Sequence, residues 1–484
     1  MSPRFSEYFK IDKSQAELDF VDIELDRDMP LFVDPYAISI YPGEWYSDCN
    51  EIIVDFFSTL VKLISSGSFE EAKSILIHFR EPNSTRLGLS KGSPRGSGIG
   101  TGYASSLMNS ILNSKAAKTG QLQDISDCEL MIEGVSSDRI SDMTINIIRH
   151  KLIEYTHNQC ELWGVTTHKV QAGMCWDPEN ARWFNSFSYL PVYGDSKIIL
   201  VPRNIVRYRS IINHQKYYNH FVLNFLQAEN LSANTSLVTV LKTKKGEKRK
   251  VYKKTLREHY PQTKDFIAEF AQRKPETMEQ YKQQAKADDC FLSAEGIESK
   301  QKSPRPIFYE DIITQIRGIA PGREQADVFH NTIVGALNAI FSPDLMNPKK
   351  EAPIHDGRKR IDISYDNSCD HGFFKKLISM HNIFCPYILF ECKNYNSDMR
   401  NPEFDQLTGR FSDKRGQFGI LICRNKGDKN LCEQRCKDII NDRRGFVIVL
   451  DDNDICNMLH MKWNTNGKDQ VDAYMSDLFK KLLF

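Results

Sequence analysis

Three side chains toward the end of the sequence carry the types and spacing for hydrolytic chemistry. Asp362 lies in the run RKRIDISYD, and Glu391 and Lys393 close the apolar run ILFECKNY. Residues two apart on a strand point to one face, so Glu391 and Lys393 project together while Cys392 turns the other way. A carboxylate and an ammonium on an otherwise apolar strand are costly to bury unless paired or bound to a metal. If the Asp362 strand pairs beside this one, two carboxylates and a lysine converge. That set suits hydrolysis of a phosphodiester. Two carboxylates can hold a hard, oxygen-seeking ion such as Mg2+ (or Mn2+), which polarises a phosphoryl oxygen and acidifies a bound water. The lysine would orient or deprotonate that water, or offset charge in the transition state. The competing reading is a salt bridge at a strand edge, with Lys393 held by Glu391 or Asp405.

The surrounding pattern supplies elements to position these groups. From about residue 306, GREQADVFHNTIVGALNAIF has apolar positions at helical spacing. KKEAPI and RKRIDISYD are short strand candidates, the second alternating Ile361, Ile363 and Tyr365 on one side. GFFKKLISMHNI predicts a short helix, CPYILFECKNY an apolar strand ending in charge, and NPEFDQLTGRFSDK a helix behind Asn-Pro. QFGILICRN and GFVIVLDD are further strands, and LCEQRCKDIIND and DNDICNMLHM further helices. This order predicts an α/β sandwich with its sheet between helices.

Asp362 on one strand, Glu391–Cys392–Lys393 at the end of another and Gln406 in the following helix resemble the restriction-endonuclease-like nucleases of the PD-(D/E)XK superfamily, most nearly the Mrr-like group. The resemblance covers roughly residues 310–460. It implies an αβββαβ domain, with Asp362 and Glu391 as metal ligands, Lys393 as the catalytic lysine and Gln406 orienting the water or phosphate. It further implies a Mg2+-dependent endonuclease acting on DNA, double-stranded, in restriction or antiphage defence, and is compatible with a homo-oligomer. Two features depart from the family pattern. Asp362 and Glu391 are 29 residues apart, which the inserted helix at GFFKKLISMHNI would explain. Phe329-His330 stands where many members carry Glu, leaving Glu324 or Glu351 as weak substitutes for a third ligand. Two other functions remain open: an inactive DNA-binding or assembly protein on a nuclease-like scaffold, and an RNA- or nucleotide-triggered effector.

Phosphate contacts would come from basic groups near the site. Arg358, Lys359 and Arg360 precede Asp362, and Arg410 and Lys414 are expected on the Gln406 helix. Between Lys242 and Arg257 lie nine basic residues and one acid, Glu247; Lys248, Arg249 and Lys250, with Tyr252 interleaved, are the DNA-contact candidates there. Charge runs are also commonly just solvated faces. The texture of 226–305 suggests a basic, helical connector of solvated helices. It separates an α/β-rich N-terminal domain (1–225) from the nuclease-like domain (306–484).

The N-terminal half offers less chemistry. SKGSPRGSGIGTGYASS could bind phosphate through backbone N–H groups, but it lacks a nucleotide-binding motif and also reads as a Gly/Ser loop. Asp138 and Asp142 in DRISDMT, with Glu133 nearby, allow a second metal site; acids at a helix start equally complement the helix dipole. His150 and His157 share a predicted helix without a ligand pattern, and Asp34 before Pro35 reads as a turn residue. A sensing, targeting or oligomerisation role for 1–225 rests only on its size and composition.

The 484 residues exceed one hydrophobic core and predict two or three domains. Lys+Arg 64 against Asp+Glu 63 excludes a uniformly basic or polyacidic protein but leaves room for a local patch. The polar start MSPRFSEYFKIDKSQ has no apolar signal-peptide core, and no apolar run approaches a bilayer span. The 12 cysteines lack a CxxC pair; Cys432 and Cys436, four apart, have no second pair to complete a zinc site. A cytoplasmic protein with buried, reduced thiols is expected.

Overall fold

Apolar side chains gather into two clusters that divide the chain near residue 300. The first draws on residues from Phe5 to Ile297 and takes in Met346; the second runs from Ile312 to Leu482 and takes in Ala16, Leu162 and Ala294. The computed structural model describes residues 2–89, 109–112, 114, 125–243, 246–287, 291–354, 358–395, 399–464 and 467–484. The protein belongs to the mixed α/β class. The loop SKGSPRGSGIGTGYASS lies outside the described residues.

In the first body, Asp34 caps α1 (Pro35–Ile40), its carboxylate accepting from Tyr36 N and Ala37 N and bracing Ile211 N. This is the turn role its place before Pro35 predicts. Helix α2 (Glu44–Ser65) buries Phe56, Phe57 and Leu60. The stretch SSDRISDMTINIIRHKLIEYTHNQC forms two helices, α3 (Ser137–Ile147) and α4 (Arg149–Trp163). Ile148 (φ −89°, ψ 13°) leaves helical geometry between them. After α4, β1 (His168–Asp177) and β2 (Arg182–Leu190) form an antiparallel hairpin. The apolar run SKIILVPRNIV is largely irregular, with only Ser196–Lys197 and Val206–Arg207 in short strands. Ile198–Val201 are buried, but their backbone is satisfied singly, Ile199 N donating to Ser84 O and Val201 O accepting from Val21 N.

The segment 226–305 corrects the expectation of solvated connecting helices. It follows α5 (Leu223–Ser232) with a hairpin, β3 (Thr239–Thr243) and β4 (Gly246–Lys250), and then with helices, the longest being α6 (Lys264–Arg273) and α7 (Pro275–Ala287), with shorter ones at Lys253–His259 and Ala294–Glu298. Val251, Leu256, Ile267, Phe270, Tyr281 and Ile297 are buried in the first cluster. Sparse apolar positions at helical spacing were enough to dock these helices, although their overall composition is polar.

The second body holds one mixed sheet. After a helix at Tyr309–Gly318, its main elements in chain order are α8 (Ala326–Phe341), β5 (Leu345–Ile354), β6 (Lys359–Asn367), α9 (Gly372–Ser379), β7 (Tyr387–Lys393), α10 (Asn401–Thr408), β8 (Phe418–Cys423), α11 (Lys429–Asn441), β9 (Phe446–Asp451), α12 (Asp452–Trp463) and α13 (Gly467–Leu483). The strand order is β9-β8-β7-β6-β5, with β5, β6 and β7 antiparallel and β7, β8 and β9 parallel. The parallel strands are buried on both faces, as their unbroken apolar runs require. Each parallel step returns through a helix, α10 and then α11. Among the described residues no helix is long and apolar enough to cross a membrane.

Buried polar contacts join the two bodies. The Arg203 guanidinium donates to the carbonyls of Gln15, Ala16 and Asn338, and Asn338 Nδ2 returns a bond to Glu17 O. Asp19 accepts from Tyr155 Oη on α4 and from Asn347 N on β5.

Candidate active site

Register brings the sequence-predicted acids together. Ile363 on β6 faces Phe390 on β7, and the next step of that antiparallel register sets Asp362 across from Glu391. Asp362 Oδ2 accepts from Cys392 N at 3.1 Å, which fixes the carboxylate against the end of β7. Strand β7 lies in the middle of the sheet, and the Lys393–Glu391 pairing that the competing reading expects forms there, beside a second acid. Lys393 Nζ reaches Glu391 Oε1 at 2.6 Å and Gln406 Oε1, on α10, at 3.1 Å. Asp405 instead pairs with Arg444.

Glu391 has no exposure to solvent, and its Oε2 receives no hydrogen bond. Asp362 faces it closely enough for the two carboxyl groups to share a proton. Burial, and then the Asp362 charge, push the Glu391 carboxyl up to about 7, against the pull of Lys393. A buried acid with one free oxygen beside a second acid is unfavourable as it stands. A hard divalent cation relieves both the repulsion and the missing contact, so the donor set fits Mg2+ or Mn2+.

The supporting contacts come from residues whose roles spacing alone did not reveal. Asn394 Nδ2 donates to the carbonyls of Ala320 and Gly322, tying the end of β7 to the approach to α8. His330 Nε2 lies 3.2 Å from Cys392 O. Glu403 accepts from Tyr395 Oη at 2.5 Å and from Arg400 N at 2.8 Å, anchoring the helix that presents Gln406. For Asn394, Tyr395 and Glu403 the available signal was closeness in sequence to the Glu-Cys-Lys motif and to Gln406; His330, on α8, has no such signal.

Other candidates stay apart from this group. Glu351 forms a partly exposed pair with Arg360 at 3.4 Å, and Glu324 is exposed on a 3-10 turn. Lys359 and Arg360 are exposed on β6 and Arg358 is exposed just before it; Lys359 Nζ approaches the end of α10 at Gly409. Helix α10 stops at Thr408, so Arg410 and Lys414 lie in the turn beyond it; Gly409 and the Ser412–Gly416 bridge end the helical path. Lys248, Arg249 and Lys250 are exposed on β4, with Lys250 Nζ 4.8 Å from the Tyr252 ring centroid. Asp138 and Asp142 do share α3. Burial, with Asp138, Glu81 and Asp28 adding repulsion, raises Asp142 to about 8. Glu133 is exposed in the preceding turn. His150 pairs with Glu154 at 3.6 Å, and His157 is exposed. The described cysteines are buried free thiols, and Cys432 and Cys436 hydrogen-bond each other. Among the described residues no group of three or more His, Cys, Asp or Glu side chains is arranged to hold a metal; the Asp362–Glu391 set has two.

Residues 10–213 match the model of a domain of unknown function, DUF8370. That segment ends before any residue of the Asp362–Glu391–Lys393 group. No curated protein and no solved structure matches the chain.

Proposed function

We propose that the protein is a metal-dependent nuclease of the PD-(D/E)XK type that hydrolyses phosphodiester bonds in DNA. The observation that carries this reading is Glu391, fully buried with Oε2 free, facing Asp362 and bonded to Lys393. A structural ion pair needs one acid and one base; a second acid pressed against the first has to share either a proton or a cation with it.

Asp362 and Glu391 Oε2 would hold Mg2+ or Mn2+, which when bound supplies Lewis-acid polarisation of the phosphate and an acidified water. Lys393 Nζ is held by Glu391 Oε1 and Gln406 Oε1, so its remaining hydrogen-bonding capacity is directed. It orients the attacking water or donates to a non-bridging phosphoryl oxygen. Gln406 fixes that ammonium by its carbonyl and leaves its amide free to touch water or phosphate. Arg358, Lys359 and Arg360 supply phosphate contacts at the sheet end without reading sequence. A role in restriction or antiphage defence follows from the family resemblance alone.

The test is incubation of supercoiled plasmid with the full-length protein and Mg2+ or Mn2+, with and without chelator. Nicking or linearisation that needs metal and disappears in Lys393→Ala supports the reading. Tight DNA binding without cleavage under either metal favours the inactive scaffold instead.

A further inference from the structure

A second charged locus lies in the first body. The segment from His78 to Arg86, the start of α4, the β1–β2 hairpin and residues near Lys197 wall a cavity of about 700 Å3, within the range of small-molecule sites. Four cationic side chains line it, Arg80, Arg86, Arg149 and Lys197, against two carboxylates, Glu81 and Asp195. Arg86 and Arg149 are only 4% and 7% exposed and Ser84 8%. Yet among the described residues both arginine Nε groups and Ser84 Oγ have no hydrogen-bond partner.

The hydrogen-bond acceptors of Arg149 and Lys197 are neutral. Arg149 Nη2 donates to Asn146 Oδ1 at 2.7 Å, and Lys197 Nζ to the Gln171 carbonyl at 2.6 Å. Gly173, at φ +103°, lets the hairpin approach: a Cβ there would sit 3.6 Å from Arg149 Nη1 and 3.7 Å from Lys197 Nζ. The two cations therefore flank one glycine. Burial holds both below their usual pKa, and Arg149 lowers Lys197 further. Arg86 is offset in part by Asp28 and Asp26, whereas no carboxylate among the described residues acts on Arg149 or Lys197. Buried like charges on neutral acceptors call for an anion, and guanidinium forks match phosphate oxygens. The cavity is far larger than one phosphate. Val170 and Met174 offer apolar wall, and Asn83 and Asn185 amide groups, for the rest of a ligand.

We propose that this cavity binds a nucleotide, with Arg86, Arg149 and Lys197 gripping its phosphates. The site is independent of the nuclease reading. Calorimetric titration of the full-length protein in chelator keeps metal from loading Asp362 and Glu391. The probes are ATP, GTP, pyrophosphate, inorganic phosphate and a 5′-phosphorylated oligonucleotide. The expected result is saturable binding of ATP or GTP, displaced by pyrophosphate and weakened about tenfold or more in Arg149→Gln and Lys197→Gln. Lys197 is only partly buried, so its variant serves if Arg149→Gln fails to fold by circular dichroism. The proposal is overturned if no probe binds, if only the oligonucleotide or the inorganic anions bind, or if the folded variants bind nucleotide like wild type.

Discussion

The end of β7 and the cavity beside α4 are opposites in charge and in construction. At β7 the excess is negative: two carboxylates face each other, and the one cation among them, Lys393, is already engaged by Glu391 and Gln406. In the cavity the excess is positive, and the cations lean on a side-chain amide and a backbone carbonyl. The first arrangement comes from two adjacent strands and one helix. The second needs four separate chain segments to meet. Charge left uncompensated in a folded protein indicates the sign of what it is built to receive, and the two loci ask for opposite ligands.

The sharpest way to break this contrast is to remove the groups on the acidic side. Asp362→Ala and Lys393→Ala should each lower metal-dependent plasmid cleavage about 10²–10⁴-fold, measured as initial nicking rate. They should leave anion binding by the cavity unchanged. Cleavage that survives both substitutions would move the active site elsewhere.

A smaller effect separates the loci by pH. The Glu391 carboxyl titrates near 7 in the folded protein, above its ordinary value of 4.5. Its contribution to stability in the metal-free protein is therefore full at acid pH and lost as pH rises through about 7. On the proposed reading, a metal held by Asp362 and Glu391 competes with that same proton. Mg2+ affinity, read from the metal-dependent rise in thermal midpoint, should increase about tenfold between roughly pH 6 and 8. Asp362→Ala should flatten this dependence.

The smallest effect concerns the exposed hairpin. Replacing Lys248, Arg249 and Lys250 together with Gln should weaken DNA binding severalfold and reduce its salt dependence by up to about three counterions. Fluorescence anisotropy over a salt series measures both. An unchanged salt slope would assign that run to a solvated face.

The two loci also differ in how far they could be read from sequence. In the second body the strands are short apolar runs bounded by charge, so β6 through β9 and the helices between them were legible. Glu391 and Lys393 followed from strand periodicity. Helix α13 was missed because its apolar positions, Val471, Met475, Phe479 and Leu482, are diluted by charge. In the first body, side-chain caps and isolated backbone bonds hold buried segments such as Ile198–Val201 that belong to no ladder, and no period announces them. Lys-rich β3–β4 looked like solvated helix because its pairing is a property of the hairpin and not of composition. The cavity was illegible for a simpler reason. Arg86, Arg149 and Lys197 share no motif, and only the fold makes them neighbours.

The central claim is tested most directly by the anomalous scattering of Mn2+ soaked into crystals of the protein at pH 8. The account predicts a peak about 2.0–2.4 Å from a carboxylate oxygen of Asp362 and from Glu391 Oε2, with Lys393 still bonded to Gln406. Full occupancy of Mn2+ elsewhere, with Asp362 and Glu391 unliganded, would contradict it.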